Sequence, residues 1–153
     1  MDNIKIYFAG PLFTIAERIF NRVMAEKLRA KGYIVALPQE FDENKTEKGE
    51  IDLNAIAQKD REEVLKSDIV LANLDGPDTD SGTALEVGIK IGAGGPVIGW
   101  RTDFRGSEGD TKWNAMFNLC DKTVYFPSFQ EDIDGLVEEI DKAIKEVIGA
   151  QLG

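Results

Sequence analysis

One segment combines small residues, a turn-rich approach and a single internal acid: residues 80–88, Asp-Ser-Gly-Thr-Ala-Leu-Glu-Val-Gly. The internal acid, Glu86, lies just past the predicted start of a helix, where the helix dipole favours a negative charge. An ionised carboxylate that faces a ligand crevice can act as a nucleophile. Gly82 leaves room for the close approach of a ligand or of another backbone. The segment therefore predicts carboxylate chemistry, with Glu86 as the nucleophile.

Glycosyl transfer by this route needs a second group that protonates the leaving group. Asp80 and Asp60 are the candidates for that group. Tyr7, in the middle of the first predicted strand, is a candidate for a hydrogen bond that orients Glu86. These four residues form the predicted catalytic set.

Each of these side chains also has an ordinary structural interpretation. Glu86 and Lys90 have the i,i+4 spacing of an exposed helix ion pair, which contributes about 0.2–0.5 kcal/mol. Asp80 has the position of a helix N-cap, and Asp60 could lie on a solvated helix face. Tyr7 could be a core aromatic residue with a satisfied hydroxyl. Spacing alone leaves both interpretations open.

The composition removes several other chemistries. The 153 residues include no histidine and one cysteine, Cys120, which excludes imidazole catalysis, a His-ligated metal and a cysteine cluster for zinc. We predict neither a metal nor another cofactor. The formal net charge of −10 argues against nucleic-acid or membrane-surface partners, but not against neutral nucleosides. The apolar run at residues 4–10 is too short to span a membrane, so we expect a cytoplasmic protein.

Strands and helices alternate along the chain. The hydrophobic pattern predicts strands at residues 4–9, 33–37, 69–74, 96–100 and 123–126. It predicts helices at residues 15–31, 53–66, 81–91 and 133–148, and a short helical turn at 113–119. This alternation is typical of one doubly wound α/β domain, flavodoxin- or Rossmann-like, over residues 1–153. We expect a five-stranded parallel sheet in the order 2-1-3-4-5.

In that strand order the loops after the first and third strands form one crevice at the carboxyl edge of the sheet. Tyr7, Phe13, Asp80 and Glu86 can all reach this crevice. The turn after the first strand, Gly-Pro-Leu-Phe, is not a dinucleotide fingerprint, and no Walker-type loop is present in the sequence. The crevice is therefore predicted to bind a small molecule without those phosphate-binding motifs.

Four stretches, in order and spacing, resemble the nucleoside 2-deoxyribosyltransferases. They are Ile-Tyr-Phe-Ala-Gly-Pro at residues 6–11, Lys-Ser-Asp-Ile-Val at 66–70, the segment at 80–88 and Phe-Asn-Leu at 117–119. The resemblance covers about residues 4–130 and implies the same five-stranded fold. It implies an enzyme that cleaves the N-glycosidic bond of a 2′-deoxynucleoside and transfers the deoxyribose to another nucleobase.

The resemblance also implies a role for each matching residue. Glu86 is expected to attack the anomeric carbon and hold the sugar covalently, which gives net retention, while Tyr7 orients Glu86. Asp60 and Asp80 are expected to face the nucleobase and handle its proton. Phe13 is expected to line the pocket for the base.

Further substrate contacts are predicted outside the catalytic set. Gly10, at the end of the first strand, and Gly82 are assigned to substrate binding, and the loops at residues 39–51 and 101–112 should shape the base pocket. The resemblance implies that Asn118 reaches the sugar in a neighbouring subunit's site. It therefore implies a homo-oligomer built from dimers, with a tetramer and a hexamer as the larger forms.

Two other functions stay open at this point. A hydrolase of 2′-deoxynucleoside 5′-monophosphates would use the same Glu86 but needs a phosphate site. The loop at residues 10–14 is apolar, which argues against phosphate, although Arg101 or Arg105 could supply positive charge. The other alternative is a non-catalytic nucleoside- or nucleotide-binding module with the same fold.

Overall fold

The computed structural model describes residues 3–44, 51–105, 112–127 and 129–152. Over these residues the chain forms five strands and four α-helices. In chain order they are β1 (Lys5–Ala9), α1 (Ile15–Ala30), β2 (Ile34–Ala36), α2 (Leu53–Lys66), β3 (Ile69–Asn73), α3 (Ser81–Gly92), β4 (Val97–Arg101), β5 (Lys122–Tyr125) and α4 (Ile133–Leu152). Short 3-10 helices occupy Pro38–Glu40, Asp42–Asn44 and Ala115–Leu119.

The sheet confirms the predicted topology. All strand pairs are parallel, and the order is β2-β1-β3-β4-β5. Tyr7 of β1 lies opposite Val70 of β3. Because β1 and β3 are neighbours, the loops that follow them begin side by side at the carboxyl edge of the sheet, as expected for a ligand crevice.

The sheet separates two cores because successive side chains of a strand point to opposite faces. Ile6 and Phe8 belong to the core that includes buried side chains of α1 and α4. Tyr7 and Ala9 belong to the other core, which includes side chains of α2 and α3. Fully burying one large apolar side chain contributes about 1.5–3 kcal/mol, so both cores stabilise the sheet. The alternation directs the Tyr7 side chain towards α2 and α3.

Side-chain N-caps set the starts of α1, α2 and α3. Thr14 Oγ1 accepts from the backbone N–H of Glu17, and the Glu17 carboxylate accepts from the backbone N–H of Thr14, which completes a capping box. Asp52 caps α2, and Asp80 caps α3. The caps at Thr14 and Asp52 confirm two starts predicted from the sequence.

The largest differences from the predicted elements occur in the loops and at the last helix. Helix α4 continues to Leu152 rather than ending at residue 148. The helical turn predicted at 113–119 is the 3-10 helix Ala115–Leu119. In the two loops expected to shape the base pocket, residues 45–50 and 106–111 lie outside the described residues. None of the helices in the described ranges is both long and apolar enough to cross a membrane.

Candidate active site

A hydrogen bond joins the centre of the sheet to α3. The Tyr7 hydroxyl donates to Glu86 Oε1 at 2.7 Å. Tyr7 is fully buried, and Glu86 is largely buried. Burial, the negative charge of Glu86 and the hydrogen bond to it raise the pKa of the Tyr7 phenol far above its ordinary value. Tyr7 is therefore a fixed hydrogen-bond donor to Glu86, in the geometry predicted for an orienting residue.

The exposed ion pair between Glu86 and Lys90 does not form. Both side chains face inward from α3, and Lys90 is 5% exposed. The Lys90 ammonium donates instead to the backbone carbonyl oxygens of Val64 and Ser67. The i,i+4 spacing placed the two charges on one face of the helix, but that face is the buried one.

Asp80 is the N-cap of α3. Its Oδ2 accepts from the backbone N–H of Thr83 at 2.9 Å and from the Thr83 hydroxyl at 3.0 Å. Its negative charge also contributes to raising the pKa of Glu86, so Asp80 lies within electrostatic reach of the nucleophile candidate. The capping interpretation of Asp80 is correct, and the acid still belongs to the same cluster as Glu86.

Asp60 does not lie on a solvated helix face. It is half-buried on α2, and its Oδ1 atom is buried with no hydrogen-bond partner in the part of the chain that the structure describes. Burial, and then the charge of Glu43, raise the pKa of Asp60 to about 6. A carboxyl group with this pKa can take up and release a proton near neutral pH, which is the property that general acid–base catalysis needs.

Burial dominates the electrostatics of Glu86. Desolvation, with added repulsion from Asp60 and Asp80, raises the pKa of Glu86 to about 8, and the hydrogen bond from Tyr7 opposes this increase. The sequence predicts that the helix start keeps Glu86 ionised. Glu86 is the sixth residue of α3, however, and the effect of the dipole declines beyond the first turn. A carboxyl group with this pKa is mostly protonated at neutral pH, so a nucleophilic role would require its ionisation.

The residues predicted to bind substrate have structural roles that the sequence did not reveal. A Cβ on Gly10 would lie 3.3 Å from the Asn73 Cβ, and a Cβ on Gly82 would lie 3.2 Å from Oδ2 of Asp80. Gly10 thus permits close packing of β1 against β3, and Gly82 leaves space for the Asp80 cap. Phe13, in the loop after β1, is 75% exposed, so its ring is accessible at the same edge of the sheet.

Asn118 belongs to a different part of the structure from this cluster. It is exposed in the 3-10 helix Ala115–Leu119, and its Oδ1 accepts from the Trp113 indole N–H at 3.1 Å. It makes no described contact with Tyr7 or Glu86. Its predicted contact with the sugar in a neighbouring subunit's site stays a prediction.

Arg101 and Asp75 each make hydrogen bonds between the loops after β3 and β4, and sequence reasoning missed these bonds. Arg101 is 2% exposed, and its Nη1 donates to the carbonyl oxygens of Leu74 and Gly76 at 2.7 and 2.9 Å. In return, Oδ1 of Asp75 accepts from the backbone N–H groups of Thr102 and Asp103, the residues that follow β4. We call this arrangement the Asp75–Arg101 clasp. It ties the loop after β3, which leads to Asp80, to the loop after β4.

The assembled site offers carboxylate chemistry around one oriented acid. Tyr7 fixes one oxygen of Glu86, and Asp60 and Asp80 supply two further carboxyl groups in electrostatic contact with it. Within residues 3–44, 51–105, 112–127 and 129–152, no group of three His, Cys, Asp or Glu side chains is arranged to hold a metal ion. Burial raises the pKa of the Cys120 thiol to about 11, so this side chain is a poor nucleophile.

Solved structures with the same fold include two enzymes of known class. A conserved protein from Enterococcus faecalis has a TM-score of 0.71 and 31% identity, over 91% of this chain and 98% of that chain. The 2-deoxyribosyltransferase from Bacillus psychrosaccharolyticus has a TM-score of 0.66 and 26% identity, over 87% and 90%. The 2-desoxiribosyltransferase from Leishmania mexicana has a TM-score of 0.60 and 25% identity, over 88% and 97%. A search among curated proteins gave no match.

The sequence profile of one protein family matches nearly the whole domain. The family is described as nucleoside 2-deoxyribosyltransferase, and the match covers residues 6–143. The matched range contains Tyr7, Asp60, Asp80 and Glu86. The family and the solved structures support deoxyribosyltransferase activity or a related N-glycosidase activity. On this evidence the chain belongs to the nucleoside 2-deoxyribosyltransferase family.

Proposed function

We propose that this protein transfers 2-deoxyribose between nucleobases through a covalent deoxyribosyl–Glu86 intermediate. The observation that carries the proposal is the 2.7 Å hydrogen bond from Tyr7 to the buried carboxyl group of Glu86. A buried carboxyl group held by one fixed donor leaves its other oxygen available for attack on an electrophilic carbon. The activity would make the chain a nucleoside 2-deoxyribosyltransferase that acts on a deoxynucleoside and a free base.

The proposed reaction has two displacements. In the first, ionised Glu86 forms a bond to the anomeric carbon, the bond from that carbon to the base nitrogen breaks, and Asp60 or Asp80 gives a proton to the departing base. In the second, the nitrogen of the incoming base attacks the same carbon and gives its proton to the acid, and the ester bond to Glu86 breaks, which restores the carboxylate. Two inversions give net retention at the anomeric carbon.

The site favours a nucleoside over its 5′-monophosphate as the donor. Arg101, one source of positive charge for a phosphate, is buried and donates to four backbone carbonyl groups. Arg105, the other source, pairs with Asp103 through two nitrogens. A phosphate would therefore have to displace existing partners of either arginine, at a cost in binding free energy. We propose the transferase, with the monophosphate hydrolase as the function that the donor assay tests against it.

We also propose a homo-oligomer in which Asn118 reaches a neighbouring site. A cleft of about 570 Å³ runs between α3 and the 3-10 helix Ala115–Leu119, on a side of α3 different from that of Glu86. Two large apolar side chains that line it are more than half exposed: Met116 and Leu119. An exposed apolar surface of this kind is typical of an interface. Light scattering on wild type and Leu119→Glu tests the oligomer. The introduced charge should disrupt the interface, so we expect the variant to form an assembly of lower molecular mass than the wild type.

The direct test is a chromatographic assay with deoxyinosine as donor, with and without added adenine. The proteins compared are wild type, Glu86→Ala, Glu86→Gln and the control Glu138→Gln, which changes an exposed glutamate on α4. We expect deoxyadenosine only when adenine is present, in wild type and the control, and a loss of at least about 1,000-fold in both Glu86 variants.

Three results would contradict the proposal in different ways. Release of hypoxanthine at the same rate with and without adenine would indicate a hydrolase. Turnover of deoxyinosine 5′-monophosphate in preference to deoxyinosine would indicate the monophosphate N-glycosidase. Binding of nucleosides without turnover of any donor would indicate a non-catalytic module.

A further inference from the structure

Lys90 is a buried cation without a carboxylate partner among the described residues. It is 5% exposed on α3, and its ammonium group donates to the carbonyl oxygens of Val64 and Ser67. Burial lowers its pKa from the ordinary value of a lysine. Burying an ammonium group costs free energy unless its hydrogen bonds are satisfied, so these two contacts are the reason that Lys90 is tolerated here.

The carbonyl groups that Lys90 contacts lie at the C-terminal end of α2. Helix α2 ends at Lys66, and Ser67 is its C-cap. The last carbonyl groups of a helix lack partners within the helix, and the helix dipole places negative charge there. The Ser67 hydroxyl also donates to the Val64 carbonyl oxygen, at 2.7 Å. Lys90 therefore supplies both hydrogen bonds and positive charge to the end of α2.

This contact lies one helical turn from the candidate active site on both helices. On α3, Glu86 precedes Lys90 by four residues, and on α2, Asp60 precedes Val64 by four residues. Residues four apart lie on the same face of a helix, one above the other. The two helices run in the same direction because both connect parallel strands of one sheet. The contact of Lys90 with α2 thus lies one helical turn from Asp60 and Glu86, toward the C-terminal ends of the two helices.

The other polar contacts at this end of α2 join it to β1. Lys5 Nζ pairs with Glu63 at 2.6 Å, and the Lys5 backbone N–H donates to Asp68 at 2.7 Å. Among the described residues, Lys90 is the side chain that makes the hydrogen bonds between the end of α2 and α3. These hydrogen bonds add to the apolar core that Val64 of α2 and Val87 of α3 share.

Gly95 leaves the space that the Lys90 side chain occupies. A Cβ at position 95 would lie 2.4 Å from Cε, 2.8 Å from Cδ and 3.0 Å from Nζ of Lys90. Any larger residue there must push the end of the lysine side chain away from its present position. Position 95 therefore offers a way to disturb the contact while keeping the charge of Lys90.

We propose that Lys90 is a positioning residue that holds the C-terminal end of α2 against α3 and thereby keeps the carboxyl group of Asp60 beside Glu86. The hydrogen bonds of Lys90 are present whatever the protein catalyses, whereas their effect on catalysis rests on the proposed function. Without this contact, the end of α2 loses its hydrogen bonds to α3, and the electrostatic coupling between the two acids becomes weaker.

The test is an NMR titration of the Glu86 side-chain carboxyl carbon in four proteins: wild type, Asp60→Asn, Lys90→Met and the double variant. In wild type, Asp60→Asn should lower the pKa of Glu86, because the charge of Asp60 raises it. In the Lys90→Met background the same substitution should lower the pKa by about half as much or less. The direct effect of the Lys90 charge on the pKa of Glu86 is the same with Asp and with Asn at position 60, so it cancels in this comparison. A loss of overall stability alone would not change how much Asp60→Asn lowers the pKa of Glu86.

Gly95→Ala provides a second variant that retains Lys90. Its Cβ should displace the ammonium group and weaken the coupling in the same direction as Lys90→Met, so it decides the test if Lys90→Met does not fold. Gly92→Ala is the matched control, because a Cβ at position 92 meets no atom within 4 Å. The control should leave the coupling unchanged.

An equal effect of Asp60→Asn in all backgrounds would overturn the proposal. The titration needs no substrate, so its result does not depend on whether the wild-type protein transfers deoxyribose. The catalytic consequence is read separately in the deoxyinosine assay. There, Lys90→Met should lower kcat/KM about tenfold in the wild-type background and should have almost no further effect on Asp60→Asn.

Discussion

The Tyr7 hydroxyl lies 2.7 Å from Glu86 Oε1 and joins the middle of β1 to the second turn of α3. This hydrogen bond favours the ionised form of Glu86, whereas burial and the charges of Asp60 and Asp80 disfavour it. The balance gives Glu86 a pKa of about 8 in the free protein.

Replacing Tyr7 by Phe removes the donor and keeps the ring. We expect kcat to fall about 10- to 100-fold, because Glu86 loses the contact that orients it. The loss of this hydrogen bond also raises the pKa of Glu86, so the acidic limb of the pH profile of kcat/KM should move to higher pH. Steady-state kinetics from pH 5 to 9.5 check both effects. An unchanged limb would separate Tyr7 from the ionisation of Glu86.

Replacing Asp60 by Asn should move the same limb in the opposite direction. The neutral amide no longer repels the Glu86 carboxylate, so the pKa of Glu86 falls and activity at low pH becomes a larger fraction of the maximum. The maximum itself should fall about 100-fold or more if Asp60 supplies the proton to the base. Asp134→Asn, an exposed acid on α4, serves as the control. A limb that moves to higher pH would contradict the arrangement.

Glu86→Gln should make the protein more stable at high pH. The pKa of Glu86 is raised from an ordinary 4.5 to about 8, so its favourable contribution to folding is complete below about pH 4.5 and is lost as the pH rises through 8. We expect the variant to gain about 1–3 kcal/mol in free energy of unfolding at pH 9, and clearly less at pH 5. Urea unfolding at both pH values measures this. A gain of equal size at both values would argue against a buried, ionisable Glu86.

The Asp75–Arg101 clasp should contribute strongly to stability. Arg101→Met removes the donor from four backbone carbonyl groups and leaves a well-buried position without its charge, and we expect the free energy of unfolding to fall by about 3–5 kcal/mol. Arg105→Met is the matched control: its side chain is 61% exposed, so the loss should be much smaller than for Arg101→Met. Similar losses in the two variants would show that the clasp does not depend on Arg101.

The sheet topology could be predicted from the sequence because each strand is a short apolar run between turn residues. Val97–Arg101, for example, follows a glycine-rich turn and pairs with β3 as expected. Ends of elements were harder to place. Helix α4 continues through Gly149 to Leu152, because an isolated glycine is tolerated inside a helix and does not by itself end it.

The acids of the candidate site could be selected from the sequence, but the positions of the buried lysine and arginine could not. Helical spacing places Glu86 and Lys90 on one face of α3, but it does not show that this face is buried against α2. Arg101 was a candidate for phosphate binding because a charged loop residue is usually exposed. Its burial against Leu74 and Gly76 depends on which loops meet at the sheet edge, and local sequence does not contain that information.

The central claim is that Glu86 forms a covalent bond to the sugar. The most direct measurement is mass spectrometry of the protein quenched during turnover of deoxyinosine without an acceptor base. The account predicts a gain of one deoxyribosyl group, located on the peptide that contains Glu86, lost on addition of adenine and absent from Glu86→Gln. Turnover at the full rate with no adduct at any time, or an adduct on another residue, would contradict it.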